Sequence, residues 1–97
     1  MTEGVVTAYE GRGIINYYQL YKIGNVAYLT LSFTTGQLLA EWTFANIPQE
    51  FAPAQQKRMV STDADFTAIT IDTDGALRVV NGANSNFIRI DTSYFIG

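Results

Sequence analysis

Between Asn25 and Phe33 apolar and polar residues take turns with a period of two, an order that no helix can use. Ala27, Leu29, Leu31 and Phe33 fall on one side of an extended chain, and Tyr28, Thr30 and Ser32 on the other. Val26 is the one aliphatic residue out of place. A helix needs apolar positions at i, i+3, i+4 and i+7, which would scatter Thr30 and Ser32 into its buried stripe. The segment is a strand with one face in a core.

The same period recurs elsewhere. Thr67–Asp72 and Ala76–Val80 flank Thr73-Asp74-Gly75, whose Asp-Gly predicts a tight turn with Gly75 at positive φ. Ile14–Ile23 is rich in Tyr and Ile and runs into Gly24-Asn25, a second hairpin signal. Phe87–Ile90 and Ser93–Ile96 read as one long strand or two short ones, and Leu38–Phe44 reads as a strand. Pro53–Met59 reads as an irregular loop entering a strand near Lys57–Ser61. Ala27, Leu29, Leu31, Phe33, Ile69, Ile71, Leu77, Val79, Ile88 and Ile90 are expected to point inward together, by their period-two placement. Strands this short and evenly spaced, with turns between them, predict a single all-β domain over 1–97, an antiparallel sandwich or small barrel, and the β-sandwich is the expectation adopted.

Composition removes much of enzymology. The 97 residues include no Cys and no His, so thiolate nucleophiles, zinc–thiolate sites and His-dependent triads are out. A net charge of −3 with six basic residues lacks the footprint of a nucleic-acid binder. No apolar run approaches the roughly 20 residues of a membrane span, and Met1-Thr2-Glu3-Gly4 lacks the basic and apolar regions of a signal peptide. Asp72-Thr73-Asp74-Gly75 carries a fragment of a calcium loop without the downstream Glu, and the Asp-Gly turn explains the same residues. No metal, no cofactor and no catalytic residue is expected.

The order of features resembles a known family. Tyr21-Lys22-Ile23-Gly24-Asn25-Val26 leads into the alternating strand. Ile47-Pro48-Gln49-Glu50-Phe51-Ala52-Pro53 resembles that family's hydrophobic-Pro-x-x-aromatic-x-Pro corner. Ile69–Val79 and a terminal Ile88-Arg89-Ile90…Ser93-Tyr94-Phe95 follow. Over residues 14–96 the chain is similar to the small, jelly-roll-like C-terminal head domains of phage tail-fibre and baseplate receptor-binding proteins, notably from phages of Gram-positive bacteria. The resemblance implies a homotrimer at the virion's tail tip, in contact with other tail or baseplate proteins. It also implies adhesion to a host cell-wall saccharide or teichoic acid without cleaving it. Residues 1–13 would then be the remnant of a shaft or linker, and the chain an excised head with an added Met. A structural or trimerisation domain of the same apparatus, or a monomeric carbohydrate-binding module, are the competing readings.

The corner also has a physical reading. Two prolines five positions apart force the chain off a sheet edge, and Phe51 between them is placed to plug one end of the core. Six Tyr, six Phe and one Trp are more aromatics than one small core absorbs. Core packing claims Phe33, Phe44, Phe51 and Tyr94, whereas Tyr17, Tyr18 and Tyr21 cannot all face one way. For ligand contact the candidates are Trp42 and Tyr28 for stacking on sugar rings, although Trp42 shares a face with Leu38, Ala40 and Phe44. Arg78 and Asn84 are the candidates for polar or phosphate contacts, and Asp63 or Asp65 for accepting hydroxyls.

Overall fold

A computed structural model describes residues 1–9, 11–34, 43–61, 68–80 and 87–96. Among them run strands β1 (Thr2–Glu3), β2 (Thr7–Ala8), β3 (Ile14–Ile23), β4 (Val26–Thr34) and β5 (Thr43–Asn46). They are followed by β6 (Lys57–Val60), β7 (Ala68–Ile71), β8 (Ala76–Val79) and β9 (Phe87–Phe95). Two antiparallel sheets result, in the orders β1-β3-β4-β9 and β2-β5-β8-β7-β6. They pack as a β-sandwich, and the two separate sheets exclude the small barrel that the alternation also allows.

Each inward expectation holds. Ala27, Leu29, Leu31, Phe33, Ile69, Ile71, Leu77, Val79, Ile88 and Ile90 are all buried and belong to one cluster. Phe44, Phe51 and Tyr94 join them. The Gly24-Asn25 turn pairs Ile23 with Val26, and Gly24 sits at φ 59°. At the other turn Gly75 adopts φ 91°, its N–H bonds the Asp72 carbonyl at 2.9 Å, and Asp74 Oδ1 accepts from the Ala76 N–H at 3.0 Å. A bulge in β3 between Ile15 and Tyr17 resolves the crowding of tyrosines. Ile15 and Tyr18 pack against the core, while Tyr17 is exposed.

The proline corner does what its sequence dictates. After β5 the chain leaves its sheet and makes a 3-10 turn over Gln49–Phe51, with Pro48 before it. It then touches the far end of β9, where the Ala54 N–H bonds the Phe95 carbonyl at 2.9 Å, and returns to the second sheet as β6. This long connection lets β5 lie beside β8, so β5-β8-β7-β6 is a Greek key. Phe51 is fully buried, and its carbonyl accepts the Tyr94 hydroxyl at 2.8 Å. Burial pushes the Tyr94 phenol well above its ordinary value of 10.0. Of the strand expected at 38–44, only Thr43 and Phe44 lie among the described residues, and both belong to β5.

Candidate functional site

Pairing register decides what the outer face of the first sheet carries. Residues directly opposite on antiparallel strands point the same way, so Leu20, Leu29 and Thr92 share the inward side. The rows between them face outward. One end row is Ile23, Val26 and Phe95; the next is Glu3, Tyr21, Tyr28 and Ser93. Gln19, Thr30 and Asp91 form the third row, Tyr17, Ser32 and Arg89 the fourth, and Ile14, Thr34 and Phe87 the last.

The centre of this face is a platform. The Tyr21 and Tyr28 rings stack on one another, with centroids 4.9 Å apart and planes 15° from parallel, so that each covers one face of its neighbour. They border a shallow depression of about 300 Å³, whose other walls include Gln19, Thr30, Asp91 and Ser93. That places an apolar aromatic surface beside a carboxylate, an amide and two hydroxyls. A flat ring such as a pyranose can pack only on a tyrosine face that the stack leaves uncovered, and its hydroxyls can donate to a carboxylate and exchange hydrogen bonds with amide and hydroxyl groups. Toward both ends the platform becomes apolar, with Phe87 58% and Phe95 68% exposed.

Tyr28 therefore lies where the alternation puts it, on the outer face. Arg78 does not join it. Arg78 projects from β8 on the outer face of the opposite sheet, where its Nη1 meets Asp72 Oδ2 at 3.3 Å. The thickness of the sandwich separates the two, so they cannot hold one small ligand together. Trp42, Asn84, Asp63 and Asp65 lie outside the described residues. The residues that sequence reasoning passed over are Tyr21, Gln19, Thr30, Asp91 and Ser93. Tyr21 had a usable signal: a two-residue turn at Gly24-Asn25 pairs 21 with 28 by counting outward. Asp91 and Ser93 had none, because their place depends on the register between β4 and β9.

A larger groove of about 570 Å³ runs between residues 54–57 and Ser93–Phe95, but among the described residues Lys57 is the one charged group on its walls. Asp72 and Asp74 are engaged by Arg78, Gln56 and the Ala76 N–H. Among the described residues no group of three or more acidic side chains is placed to hold a metal ion. Among them, too, no helix is long and apolar enough to cross a membrane. No protein-family model matches the chain, and no curated protein matches it.

Proposed function

We propose that this chain is a non-catalytic adhesion domain of a phage tail tip or baseplate, which recognises a saccharide on the host cell wall. The observation that carries the reading is the Tyr21–Tyr28 platform, bordered by Gln19, Thr30, Asp91 and Ser93 on an open sheet face. The similarity of the corner and terminal-strand motifs to receptor-binding heads supports the same assignment. A site this shallow holds one sugar weakly, at roughly millimolar to micromolar affinity, and many copies on one virion supply the adhesion.

Labelled protein is expected to decorate susceptible Gram-positive cells, and a soluble wall fragment to compete it off. Tyr28→Ala and Tyr21→Ala should each weaken binding about fivefold, in line with the roughly 1 kcal/mol that one aromatic contact contributes. Failure to label any host in a broad panel would abandon adhesion for a purely structural role. Accumulation of reducing sugar would make the protein an enzyme.

A second reading has its own observation. Ile14 and Phe87 at one end of the platform, and Ile23 and Phe95 at the other, are large apolar side chains more than half exposed. Such ends suit contact with further copies of the chain in a homotrimer, or with neighbouring tail proteins.

A further inference from the structure

The outer face of the second sheet carries a different chemistry. Register aligns Arg58 of β6, Thr70 of β7 and Arg78 of β8 in one row, with Thr70 in the middle. The two arginines start two strand spacings apart, roughly 10 Å, so both guanidiniums can reach over the threonine between them. Thr70 is only 5% exposed although it points away from the core. Its hydroxyl has no hydrogen-bond partner among the described residues. A buried hydroxyl without a partner is costly, and here it lines a depression of about 180 Å³ together with Gln56, Arg58 and Arg78. Asp72 holds Arg78 from one side at 3.3 Å and accepts from Gln56 at 2.7 Å. That pairing fixes one guanidinium and uses up one positive charge. Arg58 has no acidic partner among the described residues, so the cluster keeps a net positive charge in a chain whose total is −3.

We propose that Arg58, Arg78, Thr70 and Gln56 form a binding site for a phosphate group. Two guanidiniums approach its charged oxygens from either side, the Thr70 hydroxyl donates from below, and Asp72 orients the Arg78 arm. Arginine forks suit tetrahedral oxyanions because two parallel N–H donors match two oxygens. The site lies on the face opposite the tyrosine platform and stands or falls independently of saccharide binding. Free phosphate and a phosphodiester both present the required oxygens.

The test is a titration of the isotope-labelled chain at low ionic strength, followed by NMR at the Arg58, Thr70 and Arg78 amides and the arginine side chains. Inorganic phosphate is one probe and glycerophosphoryl glycerol, a phosphodiester, the other. Saturable shifts with a dissociation constant of roughly 1 mM or below are expected for at least one probe. Tighter binding of the diester would identify a polymer as the source, and tighter binding of inorganic phosphate a free anion; either supports the site. Arg58→Gln should weaken binding about tenfold or more. Thr70→Val should weaken it several-fold while leaving the melting temperature unchanged or raised, since no protein contact of the hydroxyl is lost. Tyr28→Ala should leave it intact. Linear shifts identical to those with chloride, or unaltered affinity in Arg58→Gln, would overturn the proposal.

Discussion

Gly75 is constrained twice. Its φ of 91° is one that side-chain-bearing residues resist, and a Cβ there would stand 2.3 Å from the Ile47 carbonyl oxygen. That oxygen cannot retreat, because the Ile47 N–H bonds the Gly75 carbonyl at 2.9 Å and locks the two segments together. Gly75→Val should therefore destabilise by about 2 kcal/mol or more, above the cost of a turn glycine alone, as chemical denaturation would measure. Tyr94 makes the second residue-scale prediction. Its phenol is neutral in the fold, and burial raises its ionisation well above 10.0. An unfolded chain ionises the same group near 10.0, so the fold binds the proton more tightly than the unfolded state does. Stability from this group is complete below about pH 10 and falls as the pH rises beyond it, until the folded phenol itself ionises. Tyr94→Phe should flatten that alkaline decline in a denaturation series run between about pH 9 and 12. At neutral pH it should cost about 1 kcal/mol for the lost bond to Phe51.

Among the elements, β4 is the spine of the first sheet, paired on both sides by β3 and β9. Its inward residues are almost wholly shielded from solvent, so Leu31→Ala should cost about 2–5 kcal/mol from lost burial and the cavity left behind. A loss under about 0.5 kcal/mol would mean that Leu31 is not in the core. The alternation that places Leu31 is local, and so is the Gly24-Asn25 turn, which is why β3, β4 and their hairpin could be read from the chain. The Asp-Gly turn between β7 and β8 was legible for the same reason. The corner was partly legible: two prolines announce a departure from the sheet, and Phe51 reads as its plug. The 3-10 turn closes on its own bonds, from the Phe51 N–H to the Pro48 carbonyl and from the Ala52 N–H to the Gln49 carbonyl, whereas the Ala54–Phe95 contact depends on a strand some forty residues away and leaves no local trace. The candidate site divides along the same line. Tyr28 follows from alternation, whereas Asp91 and Ser93 reach it only through β4–β9 pairing. Alternation with Leu77 and Val79 puts Arg78 on an outer face, but it does not say which sheet that face belongs to.

For the whole molecule the two outer faces differ in kind: one offers tyrosine, hydroxyl and carboxylate between apolar ends, the other a basic row. The apolar ends set the expectation for assembly. A stable contact between copies buries roughly 800 Å² per partner, and sedimentation at micromolar concentration is expected to report a homotrimer. A species matching the 10.7 kDa monomer alone would favour a monomeric carbohydrate-binding module. The pairing of β4 with β9 also has a consequence for synthesis. Residues 34 and 87 meet in the sheet but leave the ribosome far apart in time. At about 5–20 residues per second, the interval between them lasts roughly 3–10 s. The β3–β4 hairpin can close in about 1–10 μs. For seconds, then, a nascent chain holds out a finished hairpin whose Leu29, Leu31 and Phe33 have no covering sheet and whose β4 edge is open. Crowded translation by neighbouring ribosomes on one message is when this protein is most exposed to pairing with the wrong copy of itself.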